Sequence, residues 1–428
     1  MRHEDEEKIT GRRLAPESLM MGYGYDPARS EGALKSPVFQ TSTFVFSSAA
    51  EGKRFFELAY GLRDPDPGEE PGLIYSRINN PDLEILEDRL CVWDDAERGL
   101  AFASGMAAIA TTFIAHLRPG DVLVHTVPLY GGSDHLVREL LPEFGVRTVA
   151  WRPGAEEEEV LAAVAEAGGE LKMVFLETPA NPTNHLFDLE MARRIADAIA
   201  SSQHRPMLAV DNTFLGPIWQ RPMEFGAELV LYSATKYLGG HSDLVAGAVL
   251  GSAEAIAPIA QMRTLMGTMA SPWTGWLLMR SLETLDLRVR RQTATAQRVA
   301  EFLSEHPTVR DVSYLGLLDA GDPGHEIYKR QCMGPGAMIS MVLDDQAAAF
   351  SFLDALELIK LAVSLGGTES LAEHPASMTH AGVPPEEKQR LGVTEGLVRL
   401  SIGVEHPADL IQDISTALVE VENERSNR

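Results

Sequence analysis

The sequence predicts an α/β protein with a mostly parallel sheet in a large domain and a second, smaller α/β domain towards the C-terminus. Between about residues 100 and 252, short apolar runs bounded by turn residues alternate with stretches of helical periodicity. These runs are short and continuously apolar, as expected for strands that are buried on both faces of a sheet. Beyond about residue 280, long helical stretches come first and two further apolar runs come after them.

The large domain has five predicted strands, at 121–125, 172–176, 207–210, 229–232 and 246–250. Helical periodicity covers 107–117, 189–199 and 291–303. The smaller domain has predicted strands at 337–343 and 397–402 and a closing helix over 407–421.

Residues 1–80 are irregular and rich in Gly and Pro, which break both helices and strands. We interpret this segment as an N-terminal arm without a core of its own, which packs against another chain or another domain. The domains are therefore predicted as an arm over 1–80, a large domain over 81–280 and a small domain over 281–428.

Composition excludes several functional classes. The net charge of −25 argues against nucleic acid as a partner, because neutralising phosphates requires a basic face. We interpret the local basic run at 288–291 as a solvated helix face. No apolar run approaches the roughly 20 residues that span a bilayer, and the first residues lack the apolar core of a signal peptide. Two cysteines fit a reducing compartment, so we expect a cytoplasmic protein that contacts no membrane.

Polar side chains come directly after three of the predicted strands. Ligands of parallel sheets bind beyond the carboxyl ends of the strands, so these residues are candidates for a site. They form the segments Glu177-Thr-Pro-Ala-Asn181-Pro182, Asp211-Asn-Thr213 and Ser233-Ala-Thr235-Lys236. Acids, an amide, hydroxyls and an amine thus meet at one edge of the sheet.

Pyridoxal 5′-phosphate (PLP) requires this combination of groups. Its aldehyde forms a Schiff base with a lysine, here Lys236, and its ring nitrogen stays protonated beside a carboxylate, here Asp211. Its phosphate needs donors, which the Ser104-Gly105-Met106 start of the helix at 107–117 offers, together with the hydroxyls of Ser233 and Thr235. In isolation each residue has a plainer interpretation: a surface lysine, a turn acid and a helix N-cap.

Other catalytic motifs do not fit. The segment from Ser233 to Lys236 matches the S-x-x-K of penicillin-recognising hydrolases, but the sequence contains neither S-D-N nor K-T-G. Dinucleotide-binding, P-loop, nucleophile-elbow and zinc-protease motifs are likewise absent from the sequence. His241, His374 and His380 lack metal-ligand spacing, so we expect no metal and interpret them as polar site or structural residues.

In combination, these segments resemble the Cys/Met-metabolism family of PLP enzymes, which includes cystathionine γ-synthase, cystathionine γ-lyase, methionine γ-lyase and O-acetylhomoserine sulfhydrylase. The resemblance runs from about Gly22 to the final helix, and the overall pattern is most similar to methionine γ-lyases. The motifs that carry it are Tyr75-Ser-Arg77 with Asn80-Pro81, Ser104-Gly-Met106, Leu129-Tyr-Gly-Gly132, Glu177-Thr-Pro-Ala-Asn-Pro182, Asp211-Asn-Thr213, Ser233-Ala-Thr-Lys236, Ser364-Leu-Gly-Gly367, the segment from His374 to His380, and Leu397-Val-Arg-Leu-Ser401.

The resemblance implies the aspartate-aminotransferase-like fold (fold type I) and a homotetramer of two active dimers. It implies that Tyr75 and Arg77 reach the phosphate in the neighbouring subunit, and that Tyr130 stacks on the cofactor ring. The cofactor-binding residues expected from the motifs and strand ends together are Tyr75, Arg77, Ser104, Gly105, Met106, Tyr130, Asn181, Asp211, Thr213, Ser233, Thr235 and Lys236. The substrate-binding residues that the resemblance implies are Asn181, Ser364 and Arg399, of which Arg399 would bind the carboxylate; a structural ion pair is the alternative for Arg399.

The implied reaction is γ-elimination of a sulfur amino acid, which gives 2-oxobutanoate, ammonia and a thiol. Lys236 serves as covalent anchor and general base, and Tyr130 acts as acid or base at the leaving group. The first alternative is γ-replacement on an O-acyl-homoserine, as in O-acetylhomoserine sulfhydrylase or cystathionine γ-synthase. An aminotransferase or β-lyase, and a catalytically silent PLP-fold binding protein, are further alternatives.

Four positions bear on the choice between these reactions. Val363 stands where cystathionine-processing relatives often carry Glu, which favours an apolar or small γ-substituent. Gly132 stands where methionine γ-lyases typically carry Cys, and Arg263-Thr264 aligns with their Lys-Asp pair. The sequence therefore leaves elimination and replacement open.

Overall fold

The computed structural model describes residues 8–9, 12–67, 69, 71–201 and 204–426. Its strands are β1 Lys8–Ile9, β2 Arg12–Arg13, β3 Arg98–Phe102, β4 Val122–Thr126, β5 Arg147–Trp151, β6 Leu171–Glu177, β7 Met207–Asp211, β8 Leu229–Tyr232, β9 Gly247–Gly251, β10 Asp311–Ser313, β11 Met338–Val342, β12 Lys360–Leu361, β13 Leu371–Glu373 and β14 Leu397–Ser401.

The α-helices are α1 Pro16–Leu19, α2 Ala49–Ala59, α3 Pro81–Asp94, α4 Gly105–His116, α5 Gly131–His135, α6 Leu141–Glu143, α7 Glu157–Ala167, α8 Leu189–Ala198, α9 Gly216–Trp219, α10 Ala253–Met266, α11 Pro272–Leu282, α12 Leu285–Glu305, α13 His325–Gln331, α14 Gln346–Ala355, α15 Pro385–Arg390 and α16 Pro407–Ser426. Short 3-10 turns occupy Pro27–Ser30, Pro222–Phe225 and Leu315–Leu317, and a π-helical turn occupies Leu136–Leu140.

The large sheet has seven strands in the order β3-β9-β8-β7-β6-β4-β5. Strands β8, β7, β6, β4 and β5 run parallel to one another, whereas β9 is antiparallel to both of its neighbours. Successive residues of β4 enter different cores: Val122 and Val124 belong to one cluster and Leu123 to the other. Helices therefore cover both faces, which explains why β7, β8 and β9 in the middle of the sheet are almost entirely apolar. The predicted mostly parallel sheet is confirmed.

The second sheet has five strands in the order β10-β11-β14-β13-β12. All neighbours in it are antiparallel except β12 and β13. Helices α14 and α16 pack against each other, and buried residues of both, such as Phe352 and Ile414, continue the core that lies on one face of the large sheet. The predicted second, smaller α/β unit is present, and it shares its core with the large one.

The predicted elements agree with the structure to within about two residues for most strands, and β8 spans the residues predicted for it. The helix predicted over 291–303 begins earlier, at Leu285. Arg288 lies in this earlier part of the helix and is buried, so the interpretation of 288–291 as a solvated face is wrong for Arg288. Its buried guanidinium donates hydrogen bonds to the carbonyl oxygens of Tyr237 (2.9 Å) and Ser281 (3.1 Å), which replace its hydration.

In the described part of the N-terminal segment, α2 is the longest helix, and β1 and β2 are each two residues long. Leu34, Val45 and Leu62 are exposed in it. No helix in the described part of the chain combines the length and the apolar character needed to cross a bilayer.

Candidate active site

Lys236 lies in the loop that comes after β8. Its Nζ donates a 2.8 Å hydrogen bond to Ser364 Oγ, and its backbone N–H bonds to the Ser233 carbonyl (3.0 Å). Burial, reinforced by the nearby positive charge of Arg399, lowers the pKa of Lys236 to about 8. The loop therefore presents an amine that is a far better nucleophile near neutral pH than an exposed lysine.

The turn after Lys236 requires glycine at position 240. The φ angle of Gly240 is +65°, and a Cβ built there would lie 1.8 Å from Nη1 of Arg288. Arg288 occupies that space while it holds the Tyr237 carbonyl, so it braces the loop that carries Lys236. The glycine pair shortly after Lys236 in the sequence is thus explained by close packing on a buried arginine.

Asp211 ends β7 beside this loop. Its Oδ1 accepts hydrogen bonds from the backbone N–H (3.0 Å) and the hydroxyl (2.5 Å) of Thr213, and that hydroxyl accepts from the backbone N–H of Ser233 (2.8 Å). Burial raises the pKa of Asp211, and no basic side chain among the described residues pairs with it. A protonated ring nitrogen would supply the missing cation, so this carboxylate fits PLP.

Glu177 is a site residue to which the sequence analysis assigned no role. It lies opposite Asp211 across the β6–β7 pair, and it is buried. Its carboxylate accepts hydrogen bonds from the backbone N–H groups of Tyr130 (2.8 Å) and Asn181 (3.1 Å). Burial and the charge of Asp211 raise its pKa. Glu177 therefore fixes the backbone of two predicted site residues, and its place at a strand end was the signal that could have identified it.

The first turn of α4 is the candidate anion-binding part of the site. Ser104 is the N-cap, and its Oγ accepts from the Ala107 N–H (3.0 Å), so its side chain has the plainer role of a helix cap. A Cβ built on Gly105 would lie 2.9 Å from Cβ of Ser233, which shows how closely the helix start meets the Lys236 loop. The amides at the start of the helix lack acceptors in the preceding turn, so they suit a phosphate.

Thr235, one of the predicted phosphate donors, makes both hydrogen bonds of its hydroxyl within the chain. Its hydroxyl donates to the Ala246 carbonyl (3.1 Å) and accepts from the Ala246 N–H (3.0 Å). The side chain closes the loop between β8 and β9, and its hydroxyl proton is used in the hydrogen bond to the Ala246 carbonyl. Of the two hydroxyls expected at the phosphate, the one on Ser233 adjoins the start of α4.

Tyr130 is exposed at the start of α5, where it borders the site. A Cβ built on Gly132 would lie 2.9 Å from Cε1 of Tyr130 and 3.1 Å from Sδ of Met106. The tyrosine ring and the thioether therefore fill the space that a side chain at position 132 would need. This packing links Tyr130 to Met106 at the second helical position of α4.

Arg399 is the centre of a buried polar cluster. Its Nη1 donates to Asn181 Oδ1 (2.9 Å) and pairs with Glu373 Oε1 (2.9 Å), while Nη2 donates to the Ser364 carbonyl (2.8 Å). Nε is buried and has no hydrogen-bond partner among the described residues. Ser364 has a φ of 95°, an unusual value for a residue other than glycine, and such strain is commonly found at functional sites. Ser364 thus touches both the guanidinium and the amine of Lys236.

Tyr75 and Arg77 lie apart from this cluster. The Arg77 guanidinium stacks 5.7 Å from the Tyr75 ring, and its Nη1 donates to the Thr264 carbonyl (2.6 Å). Both residues are exposed. Within one chain, the structure does not bring them to Lys236.

Arg263 and Val363 are two of the positions that bear on substrate specificity, and they have different surroundings. Arg263 is buried in α10, where its Nη1 pairs with Glu87 and donates to the Ala101 carbonyl (3.0 Å). Arg263 is therefore a structural residue in this chain. Val363, next to Ser364, is exposed. Across the described ranges, no group of three or more His, Cys, Asp or Glu side chains is arranged to hold a metal ion.

The chain is similar over most of its length to known PLP-dependent enzymes. The family model described as Cys/Met metabolism PLP-dependent enzyme matches residues 17–419. The L-methionine gamma-lyases of Pseudomonas deceptionensis and Pseudomonas putida are 42% and 41% identical over 400 and 399 residues, each covering 92% of this chain and 95% of the relative. A crystal structure of cystathionine gamma synthase from Xanthomonas oryzae pv. oryzae, in complex with aminoacrylate and cysteine, has a TM-score of 0.86 at 34% identity and covers 96% of this chain and 100% of that chain. The predicted fold type I is confirmed by this similarity.

Proposed function

We propose, for a chain that belongs to the Cys/Met metabolism PLP-dependent enzyme family, the γ-elimination of a sulfur amino acid. The chain is a PLP-dependent enzyme of the trans-sulfuration group, whose members are lyases and transferases. The finer proposal is a methionine γ-lyase-like reaction that gives 2-oxobutanoate, ammonia and a thiol. The observation that carries the proposal is that Ser364 contacts two site residues. Its Oγ accepts a hydrogen bond from Nζ of Lys236, and its carbonyl oxygen accepts one from Nη2 of Arg399. An amine-reactive group and a carboxylate-binding group are thus adjacent, as an α-amino acid requires.

The residues proposed to hold PLP are those whose partners are incomplete. Lys236 would bond to its aldehyde, Asp211 would hold a proton on its ring nitrogen, and Tyr130 would stack on its ring. The backbone N–H groups of Gly105 and Met106 and the hydroxyl of Ser233 would bind its phosphate. When bound, PLP supplies an aldehyde that condenses with amines and a protonated ring that accepts an electron pair from the substrate α-carbon.

The chain's own residues divide the remaining work. Arg399 binds the substrate carboxylate through Nε and Nη2, a bidentate geometry that fixes the α-carbon. Lys236 removes the α-proton, because its lowered pKa of about 8 leaves about half of the amine in the neutral form at pH 8. Tyr130, on the loop above α4, moves a proton at the γ-substituent. Asn181 accepts a hydrogen bond from Arg399 and would lie beside the cofactor when it is bound.

The assembly is part of the proposal. An arm over 1–80 that carries exposed Tyr75 and Arg77 would complete the phosphate site of a neighbouring copy, in a homotetramer of two active dimers. The large domain over 81–280 would hold the cofactor, and the small domain over 281–428 would hold the substrate carboxylate. A cytoplasmic location is proposed as well.

The choice of γ-substituent rests on two observations. Val363 is apolar and exposed beside Ser364, which favours an apolar substituent such as a thioether over one that carries a distal amino group. The two relatives from Pseudomonas, similar over nearly the whole chain, are methionine γ-lyases. The second candidate is γ-replacement on an O-acyl-homoserine. It is favoured by Gly132, where the ring of Tyr130 and Sδ of Met106 take the space of a side chain, and by the similarity to a cystathionine γ-synthase.

One experiment separates the two candidates. The purified holoenzyme is incubated with methionine, cystathionine, O-acetylhomoserine or O-succinylhomoserine, each with and without sulfide or cysteine. We expect 2-oxobutanoate and a thiol from methionine alone. Homocysteine or cystathionine that forms only when sulfide or cysteine is added would instead establish γ-replacement and overturn the elimination proposal.

A further inference from the structure

Glu373 is a buried carboxylate beside Arg399. It ends β13, and the antiparallel register sets it directly opposite Arg399 in β14. Residues directly opposite each other in such a pair project from the same face of the sheet. Their side chains are 0% and 3% exposed, and Oε1 of Glu373 lies 2.9 Å from Nη1 of Arg399. A carboxylate this buried is uncommon unless it is paired, so its partner decides its role.

The donors of Arg399 are divided between two edges of the guanidinium. Nη1 is occupied by Glu373 and Asn181, and one proton of Nη2 goes to the Ser364 carbonyl. Nε remains without a hydrogen-bond partner among the described residues. A carboxylate ligand needs two parallel N–H donors, which Nε and the second proton of Nη2 can supply. Glu373 therefore occupies one edge and leaves the opposite edge for a ligand.

Glu373 is also connected to the loop that carries Tyr130. The Thr379 hydroxyl donates to the same Oε1 atom (2.9 Å). The Thr379 carbonyl oxygen lies against Gly131, where an added Cβ would be 2.5 Å away. One carboxylate oxygen thus ties the guanidinium in the small sheet to a segment that packs beside Tyr130.

We propose that Glu373 is a positioning residue for substrate recognition: it holds Nη1 of Arg399 so that the Nε–Nη2 edge meets the α-carboxylate of the amino-acid substrate. The inference rests on the proposed function, because it takes Arg399 as the carboxylate-binding residue. Without Glu373, rotation about the terminal bonds of the arginine would be restrained only by Asn181 and Ser364. The two-point contact with the substrate would then be lost for much of the time, because bidentate binding tolerates little misorientation.

The test compares two ligands that differ in the carboxylate alone. L-norleucine has no γ-leaving group, and n-pentylamine is the same molecule without its carboxylate. Each is titrated into the holoenzyme while the absorbance of the cofactor imine is followed, so the measurement needs no turnover. Glu373→Ala is expected to weaken the binding of L-norleucine at least about 30-fold and to change the affinity for n-pentylamine less than about threefold. Glu373→Gln, which keeps an acceptor for Nη1, is expected to stay within about fivefold of the native protein for both.

Two further variants serve as controls for the comparison of the two ligands. Glu373→Met has nearly the native side-chain volume without a carboxylate, and it replaces the alanine variant if that protein does not fold or load PLP. Glu87→Ala is the matched control, because it breaks the buried pair with Arg263, whose hydrogen bonds go to Glu87 and Ala101. Glu87→Ala should leave the ratio of the two affinities unchanged.

Equal weakening of both ligands by Glu373→Ala or Glu373→Met would overturn the proposal, since it would indicate general damage to the site. A glutamine variant as weak as the alanine variant would also overturn it, because charge and not position would then be decisive. Arg399→Lys distinguishes a failure of the underlying function. If that change leaves L-norleucine binding intact, Arg399 does not bind the carboxylate, whatever Glu373 does.

Discussion

The two sheets contribute to the site in different ways. The seven-stranded sheet supplies residues at and beyond the carboxyl ends of its parallel strands, such as Glu177, Asp211 and Lys236. The five-stranded sheet supplies Arg399 from the middle of β14 and Glu373 from the neighbouring strand. Parallel strand ends all meet at one edge, whereas antiparallel strands place facing side chains in rows. Functional residues therefore have to be sought at an edge in the first sheet and on a face in the second.

The electrostatics of the two regions differ as well. Glu177 and Asp211 are like charges in register, and burial raises the pKa of each, so this region favours the arrival of a cation. Glu373 and Arg399 are opposite charges in register, and Nε is the donor of Arg399 that lacks a partner among the described residues. These charges support the proposal that the large sheet binds the ring of the cofactor and the small sheet binds a carboxylate.

The largest expected effect comes from Lys236, which lies between the two regions. Lys236→Ala should abolish the imine that borohydride reduces and lower turnover at least ~10³-fold, because the variant loses the covalent anchor and the base together. Absorbance of the purified protein and mass spectrometry after reduction measure the first effect. Turnover that survives the change would show that the amine is not the base.

The same lysine gives a pH control on the native protein. Burial and the charge of Arg399 lower the pKa of Lys236 to about 8, so the neutral amine becomes abundant below the pH expected for an exposed lysine. The rate at which apoprotein takes up PLP should therefore rise about tenfold per pH unit up to about pH 8 and level off above it. An inflection near pH 10 would mean that the amine is not desolvated.

The next effect separates the two sheets. Asp211→Asn should lower kcat by about 10²- to 10³-fold with little change in KM, because the carboxylate is proposed to act on the ring and not on the substrate. Arg399→Lys should act mainly on KM, with a loss in kcat/KM of about 10²-fold, since a lysine cannot form the bidentate pair. Steady-state kinetics with the preferred substrate measure both values.

These two variants share a control. Each is compared with Glu87→Ala, which breaks a buried ion pair away from the cluster and should change neither constant by more than about threefold. If Asp211→Asn and Arg399→Lys produced the same change in KM, the assignment of cofactor and substrate to different sheets would fail.

The smallest effect concerns two helix N-caps, one in each region. Ser104→Ala and Asp345→Ala should each lower the free energy of unfolding by about 1 kcal/mol, because each side chain accepts a hydrogen bond from the first turn of α4 or α14. Ser104→Ala should also weaken PLP binding several-fold, since it loosens the amides proposed for the phosphate. Urea unfolding and PLP titration measure the two effects, and an equal loss of PLP affinity in Asp345→Ala would contradict the role of α4.

The middle of the large sheet could be predicted because β7, β8 and β9 are apolar along almost their whole length. The runs at 207–210 and 229–232 locate β7 and β8 almost to the residue, and the segments directly after these runs contain Asp211 and Lys236. The small sheet was less predictable: β12 and β13 are only two and three residues long, too short to form a periodic pattern. Glu373 was therefore not identified as a site residue.

The order of strands and helices, the polar residues at the strand ends and the family motifs could all be read from the sequence, because they depend on neighbours along the chain. Four facts required the tertiary structure: the hydrogen bond from the Tyr130 backbone to Glu177, the hydrogen bond by which Thr235 closes a loop, the burial of Arg288, and the ion pair between Glu373 and Arg399. Each of these facts depends on groups far apart in sequence. In the sequence, a buried charged residue cannot be distinguished from one in solvent. Only the tertiary structure gives its burial and its partners.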